Sequence, residues 1–399
     1  MADREPQVAI LVDYLSYHGR CIVRGLGNYL RLHGHWTIYG EPKRLALPLK
    51  SLRTWRGDGI IAQITDRVNL QQYRAAARRG IDVVDVAGLV PDIGLPQVIS
   101  DSIAIGRMAA EHFIERGYKN LGFSGTPGLL HSDQRLAGFR QAAQQAKIDI
   151  QVFNPHRMHR VLGINEADDQ ELTRWVLSLT KPCGVMALSD GRARQLAEAC
   201  HRASVRVPDQ IAIIGVDNDE IICELMAPRL SSVAVPTEQI GYAAADMLAA
   251  LMAGNPPDQQ QVLIPPTAVA ERYSTAALAI EDPDVAAALR LMRENRGKPY
   301  NVDQLLRELP VSRRRLEMLF RKFLGCSPHQ EIERLRLAYA QRLLAETDWP
   351  IPQVAERCGY NSLAHFSHMF RKKCDVPPSA YRRRYRVADG DLRHKAVKV

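Results

Sequence analysis

The sequence predicts two domains of different fold class: an α/β domain over residues 1–274 and an all-α domain with two helix-turn-helix units over 282–386. Three observations lead to this prediction. In the first part, short apolar runs of strand length alternate with amphipathic helical stretches. The last quarter repeats one pattern at a spacing of 50 residues, and it also holds the whole excess of positive charge.

The bulk composition is that of an ordinary globular protein. A chain of 399 residues is too long for a single core. Its seven cysteines are scattered and form no Cys-x-x-Cys pair, which is typical of reduced thiols in a cytosol. The N-terminal apolar run at 8–13 has strand length and does not read as a signal peptide, so we expect a cytoplasmic protein.

The first domain is predicted from its alternating elements. The strand-like runs, in chain order, are VAILVD, WTIYG, GIIAQI, DVVDVA, LGFSG, GVMAL and IAIIGVD. Helical stretches such as AIGRMAAEHFIERGY separate them, which favours parallel sheets. Because the sequence contains no GxGxxG, phosphate loop or GxSxG motif, nothing points to an enzyme. The glycines of RGLGNYL are interpreted as helix-packing positions.

Charge divides the chain unevenly. Residues 300–399 hold 20 Lys/Arg and 11 Asp/Glu, whereas the first 299 residues hold 33 of each. Such asymmetry indicates an anionic partner for the second domain. A solubilising surface would have the same charge, so charge alone leaves both interpretations open.

The second domain uses one supersecondary unit twice. VSRRRLEMLFRKFLGCSP at 311–328 aligns with NSLAHFSHMFRKKCDVPP at 361–378. In each copy a short helix and a turn precede a longer helix, which Ser312 or Ser362 would cap. One cationic amphipathic helix is usually just a solvated surface. Because both copies carry cations at the same position, the sequence favours two helices that each bind in the major groove of DNA.

A metal site is the other interpretation of the second copy. His365 and His368 lie one helical turn apart, and Cys358 precedes them. Since no fourth ligand has a suitable spacing, we predict neither a metal nor a cofactor.

The second domain resembles the DNA-binding domain of AraC-type transcription regulators. The resemblance rests on the ordered pattern in EIERLRLAYAQRLLAETDWPIPQVAERCGYNSLAHFSHMFRKKCDVPPSAYRR and on a first helix at 282–295 with Asp282 as its N-cap. Two departures are Pro310 and Asp375, which stand where the family usually has glycine.

This resemblance implies two reading helices, 312–323 and 362–373. The implied base-edge residues are Arg314, Glu317, Met318, Leu363, Ala364, Ser367 and His368. The implied phosphate contacts are Arg313, Arg321, Lys322, Arg371 and Lys372. Phosphate contacts fix register, whereas contacts to base edges select sequence.

The first domain resembles the sugar-responsive core of LacI-type regulators, which shares a two-lobed fold with periplasmic sugar-binding proteins. The segments that carry the resemblance are ISDSIAIGRMAAEHFIERGYKNLGFSG, HSDQRLAGFRQAA, LSDGRARQLAEACHRASVRVPDQIAIIGVDND and SSVAVPTEQIGYAAADMLAALMAG. It implies that the chain crosses between lobes near residues 119, 235 and 257. A linker is expected at 275–281 and a tail at 387–399.

A ligand is expected in the cleft between the lobes, at the carboxyl ends of the strands. The resemblance implies four ligand residues and one neighbour: Asp101, Arg135, Asp190, Asp217 and Asn218. Asp13, Tyr14 and Gln63 end predicted strands and are expected on the facing wall. Asp190 could instead cap the following helix, Asp217 could only order its turn, and Arg135 could be a surface ion pair.

Together the two resemblances imply a sugar-responsive transcription regulator. Its expected partners are double-stranded operator DNA, a small sugar for which D-xylose is the first candidate, RNA polymerase and a second copy of the chain. Activation of pentose catabolic genes is the expected role. The alternatives are a sugar-binding protein without a DNA role and a carbohydrate-active enzyme.

Overall fold

The computed structural model describes residues 5–40, 52–153, 166–256, 259–276, 282–295, 297–360 and 362–385. Its parts are two lobes, each built on a six-stranded sheet, and a helical C-terminal domain. Most of the expected linker at 275–281 and all of the expected tail at 387–399 lie outside the described residues. No helix in the described part of the chain is long and apolar enough to cross a membrane.

Lobe 1 is an all-parallel sheet with strand order β11-β5-β4-β3-β1-β2. Its strands are β1 (Gln7–Leu11), β2 (Thr37–Tyr39), β3 (Gly59–Ala62), β4 (Asp82–Asp85), β5 (Gln97–Ser100) and β11 (Gln261–Ile264). Its helices are α1 (Tyr17–His33), α2 (Arg67–Ala77) and α8 (Thr237–Met252). The inner strands are almost wholly apolar because helices cover both faces of the sheet.

Lobe 2 repeats this plan with strand order β12-β10-β9-β8-β6-β7, in which only β12 runs antiparallel. Its strands are β6 (Leu121–Ser124), β7 (Ile150–Phe153), β8 (Cys183–Ala187), β9 (Ile211–Val216), β10 (Ser231–Ala234) and β12 (Ala268–Ala270). Its helices are α3 (Ser102–Ile114), α4 (Leu130–Gln145), α5 (Glu166–Ser178), α6 (Asp190–Arg202) and α7 (Glu220–Leu225). A 3-10 turn at Tyr273–Thr275 follows β12.

The chain passes between lobes at places that partly differ from those expected. The first passage is at Asp101 and not near 119, because α3 already packs on the strands and helix α4 of lobe 2. The second follows β10, which ends at Ala234. The third lies at 265–267 and not near 257, because β11 pairs with β5 in lobe 1 and β12 with β10 in lobe 2.

Glycines allow the paired helices of each lobe to touch backbone to backbone. A Cβ on Gly25 of α1 would lie 1.9 Å from the carbonyl oxygen of Glu238 at the start of α8. A Cβ on Gly106 of α3 would lie 1.9 Å from the carbonyl oxygen of Arg135 in α4. Any larger residue would force these helices apart. The packing role predicted for RGLGNYL is confirmed at Gly25.

The C-terminal domain consists of seven helices in the described residues. They are α9 (Pro283–Glu294), α10 (Val302–Glu308), α11 (Arg313–Leu324), α12 (Pro328–Glu346), α13 (Ile351–Arg357), α14 (Leu363–Cys374) and α15 (Pro378–Tyr385). The predicted caps are confirmed: Ser312 accepts the backbone N–H of Arg315 at 3.3 Å, and Ser362 that of His365 at 3.4 Å. Asp282 likewise caps α9.

The two copies also end alike. Gly325 closes α11 at φ 68°, and Asp375 closes α14 at φ 60°. Aspartate therefore adopts the left-handed conformation that glycine adopts in the first copy, at some cost in strain. Each unit has its own apolar core, with Phe320 buried in the first and Phe370 in the second. Helix α12 contributes to both cores and joins them.

Candidate ligand cleft and nucleic-acid interface

The lobe 1 wall of the cleft begins where β1 and β3 end. The backbone N–H of Asp13 donates to Oε1 of Gln63 at 2.7 Å, so the structure brings these two predicted residues together. Tyr14 follows Asp13 and is partly buried. Burial raises the pKa of its phenol, which therefore stays a neutral hydroxyl that can donate and accept.

The lobe 2 wall holds a buried cation and a carboxylate. Arg135, on α4, has only 6% of its surface exposed and donates from Nη1 to the carbonyl oxygen of Leu188. It is therefore no surface ion pair. Burial lowers the pKa of Arg135, and the charges of Asp217 and Asp190 oppose this. Burial raises the pKa of Asp217, and Arg135 and His18 oppose that shift. Each charge thus opposes the effect of burial on the other group.

The loop that carries Asp217 is strained. Asp217 has φ 100° and Asn218 has φ 58°, values that residues other than glycine rarely adopt. The backbone N–H of Asp217 donates to the carbonyl of Val233 at 3.1 Å, and that of Asn218 donates to Oγ of Ser232 at 3.0 Å. Strain held in this way is common where a side chain must be presented to a ligand.

Asp190 and Asn218 support this loop through contacts inside lobe 2. Asp190 accepts the hydroxyl of Ser232 at 2.6 Å and the backbone N–H of Asp219 at 2.7 Å. Burial raises its pKa to about 8. Ser189, not Asp190, caps α6. The Asn218 side chain accepts from Arg272 at 2.9 Å. Both predicted ligand residues therefore have partners within the protein.

Asp101 lies at the first passage between lobes. It is the N-cap of α3, and its carboxylate accepts the backbone N–H of Ala104 at 2.9 Å. One carboxylate oxygen thus fixes the start of the helix at the edge of the cleft.

Two histidines in the cleft are missing from the sequence prediction. His18 lies at the start of α1 in lobe 1, and His131 at the start of α4 in lobe 2. Burial lowers the pKa of His18, and the charge of Asp217 opposes this shift. Burial also lowers the pKa of His131, to about 3, and the charges of Arg135 and His18 add to that shift. The spacing of His131 and Arg135, four residues apart on one helix face, is the signal that could have found it.

Two polar atoms of this cluster have no hydrogen-bond partner among the residues that the structure describes. Nδ1 of His131 and Nε of Arg135 are buried and accept or donate no hydrogen bond to any described residue. Buried polar groups in native proteins nearly always have partners. Both atoms are therefore available to hydrogen bond with a polar ligand.

In the second domain, α11 presents most of the predicted residues to solvent. Arg314, Arg321 and Lys322 are exposed, and Met318 is 59% exposed. Glu317 is partly buried. Arg313 pairs with Asp303 of α10, and this ion pair keeps the Arg313 guanidinium close to the turn between α10 and α11.

Helix α14 presents a matching row. Leu363, Ala364, His368, Arg371 and Lys372 are exposed, and Ser367 is partly buried. His365 lies beside the Tyr360 ring, at 5.9 Å between ring centroids. Among the described residues no group of His, Cys, Asp and Glu could hold a metal ion.

Family models match both domains. Residues 110–275 match a periplasmic binding protein-like domain, and residues 305–384 match a helix-turn-helix domain. The first match begins within α3 and covers the rest of lobe 2 together with α8 and β11 of lobe 1, and the second covers both reading helices.

Relatives match nearly the whole chain. The xylose operon regulatory protein of Escherichia coli K12 is 30% identical over 398 residues, which cover 96% of this chain and 98% of that protein. The Haemophilus influenzae protein of the same name is 30% identical over 392 residues, 96% of this chain and 99% of that one. The chain belongs to the family of xylose operon regulatory proteins. In this family a solved xylose-binding transcription activator, 29% identical, superposes with a TM-score of 0.61 over 97% of this chain and 100% of its own.

Family membership confirms the predicted fold class and the predicted general function. The chain is a DNA-binding transcription regulator with a periplasmic-binding-protein-like domain before its helix-turn-helix domain. A sugar-binding protein without a DNA role does not fit, because the relatives are regulators over their whole length.

Proposed function

We propose that this regulator senses a neutral sugar, D-xylose in the first instance, in the cleft between its lobes. The observation that carries the proposal is the pair of partnerless buried atoms, His131 Nδ1 and Arg135 Nε, beside the carboxylate of Asp217. Donors and acceptors of this kind suit adjacent hydroxyls, each of which both donates and accepts. The names of the relatives, which include xylose, support the choice of sugar.

Charge argues for a neutral ligand. Arg135 is balanced by Asp217, and the two histidines are held neutral by burial. A sugar phosphate or sugar acid would add one or two negative charges beside Asp217 in a poorly solvated site. A pentose adds none.

The remaining parts of the proposal concern DNA and assembly. The reading helices α11 and α14 insert into the operator, with base edges contacted by Arg314, Glu317, Met318, Leu363, Ala364, Ser367 and His368. Phosphates are contacted by Arg313, Arg321, Lys322, Arg371 and Lys372. The regulator acts in the cytoplasm as a homodimer, activates pentose genes and recruits RNA polymerase. Sugar binding favours one arrangement of the two DNA-binding domains.

A thermal-shift titration tests the sugar. D-Xylose at 100 times its Kd stabilises the folded chain by about 2.7 kcal/mol, whereas L-arabinose, D-ribose and D-glucose at the same concentration give smaller shifts. Asp217→Asn, which tolerates the positive φ, should weaken the response. Asp209→Asn is the matched control, since Asp209 is an exposed lobe 2 carboxylate paired with Arg206. A response that Asp217→Asn leaves unchanged would count against this cleft, and no response to any of these sugars would count against the proposal.

A further inference from the structure

The DNA-binding domain lies next to the third passage between the lobes and to the end of α3. A groove of about 510 Å³ separates the two domains. One wall is the end of α3, which follows the first passage between lobes, together with the third passage at 265–267. The other wall is α12, the helix that joins the two helix-turn-helix units. The domain that binds DNA therefore faces the third passage and the end of α3 across this groove.

One arginine crosses the groove. Arg334 of α12 donates from Nε and Nη2 to the two carboxylate oxygens of Glu331, at 2.9 and 2.8 Å. Its Nη1 pairs with Glu115, which ends α3. Glu331 is only 4% exposed, so it fixes the guanidinium in place. A planar guanidinium held by one carboxylate is well oriented to bind a second.

Helix α3 also reaches the ligand cleft. It starts at Asp101, and it packs without a gap on α4, which carries His131 and Arg135. A Cβ on Gly106 would meet the carbonyl of Arg135, and one on Gly138 of α4 would lie 2.0 Å from the carbonyl of Ile103. Because the two backbones touch, any shift of α4 would carry α3 with it.

The far end of α3 is attached to the segment that leads toward the second domain. Arg116 pairs with Glu271 at 2.9 Å, and the ring of His112 hydrogen bonds with Thr275 at 3.0 Å. Arg116 is 3% exposed, so this attachment is buried. The end of α3 thus contacts the segment that precedes the linker and, through Glu115, helix α12 of the DNA-binding domain.

We propose that the contact between Glu115 and Arg334 couples the ligand cleft to the placement of the DNA-binding domain. The proposal rests on the proposed function, because it assigns a route to the sugar response. Arg334 and Glu115 act as positioning residues: neither touches sugar or DNA. The ion pair between Glu115 and Arg334 forms in one arrangement of the two domains. A sugar that favours or disfavours this arrangement changes the affinity for the operator. By linkage, the operator changes the affinity for the sugar by the same factor.

The test measures that factor in the full chain. Operator Kd is determined with and without saturating D-xylose, and xylose Kd with and without operator. In Glu115→Gln the coupling factor should change by roughly two- to five-fold, the range for a partly exposed ion pair. In Glu115→Lys it should change further, because a cation would then face Arg334. Glu198→Gln is the matched control: Glu198 is similarly exposed and loses an ion pair with Arg194, far from the groove.

The outcomes separate the two proposals. If xylose does not change the Tm of the wild-type chain, the proposed function is wrong, and this inference fails with it. A normal xylose response combined with wild-type coupling in both Glu115 variants overturns only the route through Glu115. Altered coupling in Glu198→Gln to the same extent would also overturn it, since any lost ion pair would then suffice.

Discussion

One regulator subunit should bend its operator, and the second reading helix should be responsible. Helix α12 sets the separation of the reading helices, and its 19 residues span about 28 Å at about 1.5 Å rise per residue. Successive major-groove faces of straight DNA are about 34 Å apart. A single helix resists stretching, so the DNA has to make up a difference of roughly 6 Å.

The size of the bend follows from this difference. With the reading helices on the order of 10 Å from the DNA axis, 6 Å corresponds to a bend of roughly 30–35° toward the protein. Bends of this order cost about 1–6 kcal/mol, which phosphate contacts at the second groove offset. The exposed Arg371 and Lys372 on α14 are the predicted source of those contacts.

The perturbation is therefore the double change Arg371→Ala and Lys372→Ala. It should reduce the bend seen by circular-permutation gel mobility, remove protection of the second groove in footprints and lower the salt slope of log K by about 2. Lys373→Ala is the matched control, because Lys373 is exposed on the same helix but is not a predicted contact. Straight wild-type complexes with two protected grooves, or a bend unchanged by the double substitution, would refute the reasoning.

Three further predictions concern the separate domains and the cleft. The isolated fragment 282–399 should bind operator DNA without sugar and with a steep salt dependence; a folded fragment without salt-dependent binding would contradict this. Arg135→Ala or Asp217→Ala should weaken sugar binding by roughly 2–5 kcal/mol in calorimetric titration and leave sugar-independent DNA binding intact, and normal midpoints in both would exclude these residues. Because the pKa of His131 is lowered to about 3, the neutral ring contributes stability that is present above pH 6.5 and is lost as pH falls toward 3. Between pH 7 and pH 5 the free energy of unfolding should therefore fall less steeply in His131→Gln than in the wild-type chain, by up to about 1.4 kcal/mol per pH unit. Melting curves recorded at each pH measure this slope, and equal slopes in the two chains would contradict a neutral, buried His131.

The helical domain was predictable from sequence because its signals are local. The repeat of 50 residues, the serine caps and the apolar stripe are each read within one or two helical turns, and Ser312 and Ser362 cap the helices they were predicted to cap. The left-handed Asp375 also follows from the repeat, since it aligns with Gly325.

The cleft was harder to predict because its residues come from distant parts of the chain. His18 and His131 lie at helix starts, where a lone histidine looks like any polar residue, and only the meeting of the lobes buries them. The first passage was placed too late because the sequence of α3 does not indicate which sheet the helix packs on. Asp190 shows the converse: the resemblance implies a ligand residue, yet its oxygens accept hydrogen bonds from the Ser232 hydroxyl and the Asp219 backbone N–H.

The two apolar cores of the DNA-binding domain make it a pair of small folding units that share one helix. Phe320 and Phe370 are both fully buried, but they belong to different clusters. Substitutions in separate clusters without shared neighbours change stability additively. One unit can therefore accumulate substitutions that change its base contacts while the other unit stays folded and bound to DNA. Selection can then adjust the recognition of the two halves of an operator independently. We therefore expect local opening of one unit to leave the other folded, and amide exchange of the two units to be set by two different free energies.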